Sequence, residues 1–133
     1  MLLIRTRIGP SSIHGSGVFA CEAALCGTAV WRFDPAFDRL ISEAELTGMP
    51  VAFREYIDMY AYHSADLGGR LLLPCDHAKF LNHSVHPNTK TLPFISVANR
   101  LIEAGDEITC DYGAFCLGWT GFDEMPALSP ETR

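Results

Sequence analysis

The sequence predicts one domain that is mostly β or α+β, with several short strands and one helical insert. Short apolar runs, partly β-branched and bounded by turn residues, recur in both halves of the 133-residue chain. Between them lie a capping box and a run of aromatic residues at helical spacing. No repeat or low-complexity linker divides the chain. We therefore expect a single domain over residues 1–123, with the insert at about 42–64 and a C-terminal tail at 124–133.

Three strands are predicted in the first third of the chain. They cover residues 2–8, 18–21 and 28–33, where apolar and β-branched side chains are concentrated. A Gly-Pro-Ser-Ser turn follows the first strand, and glycines bound the other two.

The insert is predicted to contain two helices. Ser42 and Glu45 form a capping box, and Gly48 is a suitable stop for the helix that they begin. Pro50 suits the first turn of a second helix. That helix should continue through residue 60, because its apolar residues fall at helical spacing. These residues are Phe53, Tyr56, Ile57 and Tyr60.

The second half of the chain returns to strands, which are predicted at 70–74, 91–98 and 107–112. The tripeptide Ala-Gly-Asp at 104–106 supplies turn chemistry before the last of them. Within that last strand the alternating residues Ile108, Cys110 and Tyr112 share one side.

Charge and cysteine content narrow the classes of function. The formal net charge of −6 disfavours nucleic-acid binding, because phosphates are bound by Lys and Arg. It favours a basic partner through electrostatic steering, or it only keeps a small protein soluble. The five cysteines are an odd number without C-x-x-C spacing. That pattern is typical of free thiols rather than of a zinc site or a disulfide framework.

Neither membrane insertion nor secretion is predicted. The longest apolar runs are as short as residues 71–73, far below the length that crosses a bilayer. The first seven residues lack the apolar stretch and cleavage site of a signal peptide. We expect an intracellular, cytoplasmic protein.

A G-x-G segment, formed by Gly15, Ser16 and Gly17, is the first of three segments that carry chemistry. Two glycines one residue apart allow positive φ or a close approach of the backbone to a ligand. A plain turn between strands is the alternative. The spacing is not that of the dinucleotide-binding fingerprint.

The second segment is an N-H-S-x-x-P-N block that begins at Asn82. It places polar side chains between two apolar strands, where an ordinary core would exclude them. Asn82 and His83 could read the edge of a purine or cap exposed backbone groups, and an elaborate turn is the alternative. A metal site is disfavoured, because only Asp76 accompanies the cluster of His77, His83 and His86.

The third segment has the pattern G-x-E-I-x-x-D-Y-G and ends beside Tyr112. A tyrosine at a strand end, followed by glycine, can leave the sheet and direct its hydroxyl into a pocket. The alternative is an ordinary strand tyrosine with a satisfied hydroxyl.

Together the three segments resemble the SET domain family of protein-lysine methyltransferases. Their order and separation match those of the family over about residues 6–113. The resemblance implies a fold of several small β-sheets with a short helical insert and a C-terminal pseudoknot. In that pseudoknot the segment with the D-Y motif passes through a loop of the preceding chain, which is a rare exception to unthreaded connections.

The resemblance also implies an activity. The protein would be an S-adenosylmethionine-dependent lysine N-methyltransferase that leaves S-adenosylhomocysteine as product and needs no metal. Methyl would pass to a lysine ε-amine in a narrow aromatic channel. The partner would be a lysine-containing protein or peptide, favoured to be basic, with no nucleic acid or membrane involved.

Site residues follow from the same resemblance. Tyr112 would be the catalytic hydroxyl at the point of methyl transfer. His83 would act mainly through its backbone, at the adenine. The cofactor would be bound by Gly15, Ser16, Gly17, Phe80, Asn82, His83 and Tyr112. The walls of the substrate channel would be Tyr60, Tyr62, Phe115 and Trp119.

The chain also departs from the family pattern. It resembles a minimal version that lacks the cysteine-rich pre-SET and post-SET zinc modules, since only Cys116 follows the D-Y motif. Phe115, Trp119 or Phe122 would then close the channel, or a partner subunit in a homodimer would do so. Capping of a sheet edge is the alternative role of these aromatics. The Trp-Arg-Phe at 31–33 replaces an aromatic followed by Gly-Glu, which bears on substrate contacts.

Two other functions stay open at this point. One is a binding or regulatory module that keeps the fold with little or no catalysis. The other is methylation of a small amine, because the short insert offers little surface for a long peptide. The intact G-x-G, Asn82, His83 and Tyr112 favour the enzyme.

Overall fold

The computed structural model describes residues 1–119, and all structural statements below concern that part of the chain. It is built of short strands, two α-helices and two 3₁₀ turns. The strands are β1 (Thr6–Pro10), β2 (Ser16–Ala20), β3 (Ala29–Arg32), β4 (Arg39–Ile41), β5 (Tyr62–His63), β6 (Leu71–Leu73), β7 (Asn82–His83), β8 (Thr89–Leu92), β9 (Ile95–Ala98) and β10 (Glu107–Cys110). The helices are α1 (Glu43–Thr47) and α2 (Val51–Tyr60), and the 3₁₀ turns are His77–Phe80 and Tyr112–Ala114.

The strands form three small sheets. Their orders are β1-β2-β10-β7, β3-β9-β8 and β4-β6-β5. The predicted fold, mostly β with a short helical insert, is confirmed. The last strand, β10, lies between β2 and β7 and pairs in parallel with β7. That inner position is where the expected pseudoknot requires the segment with the D-Y motif to lie.

The hydrophobic core joins the first two sheets. Val18, Val30, Ile102 and Ile108 are each at most 1% exposed and belong to one cluster. Full burial of such side chains stabilises a fold by about 1.5–3 kcal/mol each. The core therefore fixes β2 and β10 side by side, which is the pairing that positions the site.

Both predicted helices are confirmed. The Ser42 hydroxyl accepts from the Glu45 N–H at 3.1 Å, and the Glu45 carboxylate accepts from the Ser42 N–H at 3.3 Å. Gly48 is the C-cap of α1, and Pro50 is the N-cap of α2. The helical part ends at Tyr60 rather than near residue 64, because β5 begins at Tyr62.

The predicted strand at 91–98 is wrong as a single element, since it is the hairpin of β8 and β9. Thr89 pairs with Ala98, and Leu92 pairs with Ile95. Pro93 and Phe94 form the two-residue turn between the strands. Proline lacks an N–H for a ladder and fixes φ near −65°, which suits the first position of such a turn.

Other strand ends differ from the prediction. The first strand begins at Thr6 rather than at residue 2, and Leu2 makes only an isolated bridge with Trp31. Gly9 and Pro10, expected in a turn, pair with β2. The β4 strand was not predicted and pairs with β6. The other predicted strands agree with β2, β3, β6 and β10 to within two residues at each end.

Within residues 1–119, no helix is long and apolar enough to cross a bilayer. In the same part of the chain, no group of three or more His, Cys, Asp or Glu side chains is placed to hold a metal ion. The expected tail at 124–133 and the boundary at residue 123 lie outside the described residues and stay predictions.

Candidate active site

The central sheet brings the three predicted segments together. The G-x-G segment leads into β2, Asn82 and His83 form β7, and Tyr112 follows β10 after one residue. β10 pairs with both neighbours, through Ile108 and Val18 on one side and Thr109 and Asn82 on the other. Segments far apart in sequence are thus adjacent because the core and the ladders fix one register.

Asn82 fastens the loop that carries the glycines. Its amide nitrogen donates to the Ser11 hydroxyl at 3.1 Å, the His14 carbonyl at 3.0 Å and the Ser16 carbonyl at 3.1 Å. The residue is 3% exposed. The sequence left two roles open for this side chain, reading the edge of a purine and capping exposed backbone groups. In the structure it caps backbone groups. We call residues 11–17, held in this way, the glycine loop.

Each glycine of the glycine loop has a physical reason. Gly15 has φ of 47°, in the left-handed region that other residues adopt only with strain. A Cβ at Gly17 would collide with Glu107 Oε1, so a side chain there would displace the Glu107 carboxylate. The expected close approach of a ligand to this glycine stays a prediction.

Glu107 is an unusual neighbour for the glycine loop. Both of its carboxylate oxygens are buried and have no hydrogen-bond partner among residues 1–119. A buried carboxylate without such bonds is costly, so it favours a positive charge nearby.

Tyr112 joins the second and third segments. Its hydroxyl donates to the Leu81 carbonyl, and its backbone N–H donates to His83 Nδ1 at 3.0 Å. The His83 and Tyr112 rings lie 5.4 Å apart. The same His83 Nδ1 lies 3.7 Å from Asp111 Oδ1.

Asn88 and Thr89 hold β10 through hydrogen bonds from their side chains to its backbone. The Asn88 amide donates to the Glu107 carbonyl at 2.8 Å and accepts from the Thr109 N–H at 2.9 Å. The Thr89 hydroxyl donates to the Thr109 carbonyl at 2.7 Å. The final Asn of the N-H-S-x-x-P-N block therefore positions the strand that ends at Tyr112.

A cavity of about 450 Å³ lies against Tyr112. Of the predicted channel residues, Tyr60, Tyr62, Phe115 and Trp119 all line it. The described residues of the glycine loop, Asn82 and His83 do not line it. Tyr112 and Leu81 therefore stand at the boundary between the cavity and the side of the sheet that carries the glycine loop.

The chain after Tyr112 folds back over it. Residues 115–117 pair with 63–65: Ala65 N–H donates to the Phe115 carbonyl at 3.0 Å, and Leu117 N–H donates to the His63 carbonyl at 2.9 Å. The Phe115 ring lies 5.9 Å from that of Tyr112, and the Trp119 ring lies 5.1 Å from it, both edge-on. Phe122 lies outside the described residues.

The Phe115 ring also contacts Tyr62, at 5.1 Å. Tyr62, Phe115, Tyr112 and Trp119 are thus one continuous aromatic group, which we call the aromatic wall. Large aromatic rings exclude water well, so the wall supplies the apolar surface that the sequence predicted for a channel.

Phe80 and Tyr60 form a second aromatic contact beside the cavity. Their rings lie 5.3 Å apart, and Tyr60 also contacts Tyr56 at 4.7 Å. Lys79 donates from Nζ to the Tyr56 hydroxyl at 2.7 Å. Phe80 packs against the core cluster and does not line the cavity, and its expected contact with the cofactor stays a prediction.

Burial keeps three acidic groups of this region protonated. It raises the pKa of the Tyr62 phenol far above its usual value, and the neighbouring Cys116 thiol adds to the effect. Burial also raises the pKa of the Cys110 thiol, and burial with the Asp111 carboxylate raises the pKa of Cys116 to about 12. Tyr62 therefore keeps its proton for donation at neutral pH, and neither thiol is a nucleophile.

Alkylation should separate the cysteines into two groups. At pH 8 we expect iodoacetamide to modify Cys21, Cys26 and Cys75, which are exposed. Cys110 and Cys116 should react only after unfolding in urea, because rapid alkylation requires a thiolate that the reagent can reach. Peptide mass spectrometry of native and unfolded samples measures this, and rapid native labelling of Cys116 would contradict the described packing.

Sequence reasoning missed several residues of the site. Ser11 accepts from the Ile13 and His14 N–H groups as well as from Asn82, so it shapes the glycine loop. The Leu81 carbonyl takes the Tyr112 hydroxyl bond. A backbone carbonyl leaves no signal in the sequence. Serine, in contrast, is typical of turns, so Ser11, four residues before Gly15, could have been identified from the sequence.

Comparisons with known proteins agree with this arrangement. The family model of the SET domain matches residues 15–113. Among solved structures, a humanized mutant of the Chaetomium thermophilum Polycomb Repressive Complex 2, bound to the inhibitor GSK126, is similar with a TM-score of 0.62 and 20% identity. The match covers 86% of this chain and 15% of that chain, so this chain spans a small part of that protein.

A second similar structure is that of a Plasmodium falciparum candidate histone methyltransferase. Its TM-score is 0.54 and its identity 27%, over 82% of this chain and 97% of that chain. No curated protein matches the sequence. Since the family model spans most of the chain, from the glycine loop to the residue after Tyr112, the chain belongs to the SET domain family.

Proposed function

We propose that the protein is an S-adenosylmethionine-dependent protein-lysine N-methyltransferase. One observation carries the proposal: Tyr112 is bonded to Leu81 and His83 on one side and lines a cavity with an aromatic wall on the other. The cofactor would lie beside the glycine loop, and the lysine would approach through the cavity. The similar Plasmodium falciparum structure, 27% identical, is named as a candidate histone methyltransferase, which supports the same class of reaction.

The residues of the glycine loop suit a cationic cofactor. The buried carboxylate of Glu107 lies directly beneath Gly17 and has no partner within the described residues. It favours a ligand with positive charge, as a sulfonium and an α-ammonium have. Gly15 and Gly17 carry no side chain, and the Asn82 amide fixes the neighbouring carbonyls of His14 and Ser16, so a ligand could approach the backbone closely at the two glycines.

Bound S-adenosylmethionine would supply an electrophilic methyl group on a sulfonium, so the chain itself needs no metal and no nucleophile. The work left to the protein is to orient the amine in line with that group and to exclude water. Tyr112, positioned through two hydrogen bonds, would orient the amine. Phe115 and Trp119 would exclude water as a lid over the channel.

The acceptor lysine must lose its proton before it reacts. An unperturbed lysine has a pKa of about 10.4, so the neutral amine at pH 8 costs about 3 kcal/mol. The aromatic wall reduces this cost, because apolar surroundings disfavour the ammonium form. Asp58 and Asp66 at the cavity, with a net charge of −6 over the chain, favour a basic segment around that lysine.

Transfer of labelled methyl tests the proposal. Purified protein is incubated with methyl-tritiated S-adenosylmethionine and a panel of basic peptides with one lysine each, and with the same peptides carrying norleucine instead. We expect label in lysine peptides only, and mass spectrometry should place it on the ε-amine. Binding of S-adenosylhomocysteine without any transfer would favour the regulatory module, and the absence of both would refute the proposal.

A further inference from the structure

Phe94 has an unusual backbone conformation. Its φ is 62°, and it is the only non-glycine residue with positive φ within residues 1–119. It occupies the second position of the Pro93–Phe94 turn, where glycine or asparagine is favoured because a side chain crowds the backbone. Strain of this kind in a bulky residue persists only where surrounding contacts hold it, and it is concentrated at functional sites.

Two other segments hold Phe94 in place. Its N–H donates to Asp66 Oδ2 at 3.2 Å, and its carbonyl accepts from the Phe33 N–H at 2.9 Å. The Phe33 and Phe94 rings lie 6.2 Å apart, and both line the cavity. Phe94 is nevertheless 45% exposed, so the core does not account for its ring.

This aromatic pair lines the same cavity as Tyr112, and one short segment joins the pair to the aromatic wall. Ala65 donates to the Phe115 carbonyl, and the next residue, Asp66, accepts from Phe94. Consecutive Cα atoms are about 3.8 Å apart, and an extended peptide advances about 3.3–3.6 Å per residue. A peptide whose lysine entered this cavity to reach Tyr112 would therefore have a neighbouring residue available to contact the aromatic pair in the same cavity.

We propose that Phe94 is a specificity-determining residue, which with Phe33 binds an apolar side chain next to the target lysine of the substrate. The inference rests on the proposed methyltransferase function and deepens it. The apolar side chain would bury its surface against two rings, while Asp66 and Asp58 at the same cavity match the positive charge of a basic segment. The cofactor is assigned to the other side, because the glycine loop does not line this cavity.

The test compares two peptides that contain one lysine each. In the leucine peptide that lysine is flanked by leucines, and in the otherwise identical glycine peptide it is flanked by glycines. The parent protein should prefer the leucine peptide by about tenfold in kcat/KM, as expected for one apolar side chain in a pocket. Phe94→Ala should bring this ratio close to one. Phe94→Tyr, which keeps the ring, should preserve the preference, and all variants should bind S-adenosylhomocysteine like the parent.

A third variant, Phe94→Gly, separates recognition from folding. Glycine adopts φ of 62° without strain, so this variant should melt at a higher temperature than Phe94→Ala and show the same loss of preference. An unchanged ratio in Phe94→Ala, or a parent without preference, would overturn the inference while methyl transfer stands. Weaker S-adenosylhomocysteine binding by Phe94→Ala would also overturn it, since the ring would then contact the cofactor. A parent that methylates neither peptide would refute the methyltransferase function itself.

Discussion

Tyr112→Phe is expected to bind S-adenosylhomocysteine with nearly the affinity of the parent and to lose about 10²–10³-fold in kcat, because the hydroxyl oxygen would no longer accept from the amine N–H and orient it, a loss comparable to that of one preorganised hydrogen bond in a transition state. The ring would keep its contacts with His83, Phe115 and Trp119. Only the hydroxyl, and with it the bond to the Leu81 carbonyl, would be lost. Calorimetry and single-turnover methyl transfer measure the two quantities.

The control for this variant is Tyr56→Phe. Tyr56 also loses a hydroxyl hydrogen bond in that change, to Lys79, but it does not line the cavity. Its turnover should match that of the parent. Equal turnover of Tyr112→Phe and the parent would remove Tyr112 from the reaction, whatever its position.

Asn82→Ala is expected to weaken S-adenosylhomocysteine binding by tenfold or more, because the glycine loop would sample other conformations and the competent one would be less populated. The change leaves the His14 and Ser16 carbonyls without their amide donor. Loss of a buried hydrogen bond with unsatisfied partners costs about 1–3 kcal/mol, so the free energy of unfolding should fall by a similar amount. Calorimetry and urea unfolding measure the two effects.

Asn99→Ala is the matched control for Asn82→Ala. The Asn99 amide also donates to backbone carbonyls, of Pro87 and Thr89, but the residue is exposed and away from the glycine loop. Its variant should bind S-adenosylhomocysteine like the parent. If Asn82→Ala kept full affinity while losing stability, Asn82 would be only a structural residue.

The sequence allowed the family and the three segments to be predicted, because each carries residue types that ordinary strands exclude. Glycines at 15 and 17 and the polar pair Asn82-His83 interrupt apolar runs, and such interruptions are visible without coordinates. The capping box of α1 was visible for the same reason, since Ser42 and Glu45 satisfy each other locally.

What could not be predicted depends on contacts between distant segments. Asn82 was expected to hold the cofactor, which stays a prediction, and the sequence did not show that its amide fastens the glycine loop 66–71 residues away. Side-chain amides bind backbone carbonyls and ligands by the same geometry, so sequence alone does not distinguish these partners. Phe80, which the resemblance assigned to the cofactor pocket, contacts Tyr60 and packs against the core, and its contact with the cofactor stays a prediction.

The cavity itself was only partly foreseen. Tyr62, Phe115 and Trp119 were expected at the channel, and the structure groups them with Tyr112. Phe94 was hidden inside what the sequence predicted as one strand. Its role in the cavity wall depends on the Pro93–Phe94 turn, which places the ring opposite Phe33.

The central claim is that the cofactor binds beside the glycine loop and the substrate lysine enters the cavity. It is tested most directly by titrating isotope-labelled protein with S-adenosylhomocysteine and measuring the amide chemical shifts. The cofactor product should shift the amides of Gly15, Ser16, Gly17 and His83, while the amides of Leu67 and Phe94, which line the cavity, stay unchanged. Shifts confined to these two cavity residues, or no shifts at saturating concentration, would contradict the account.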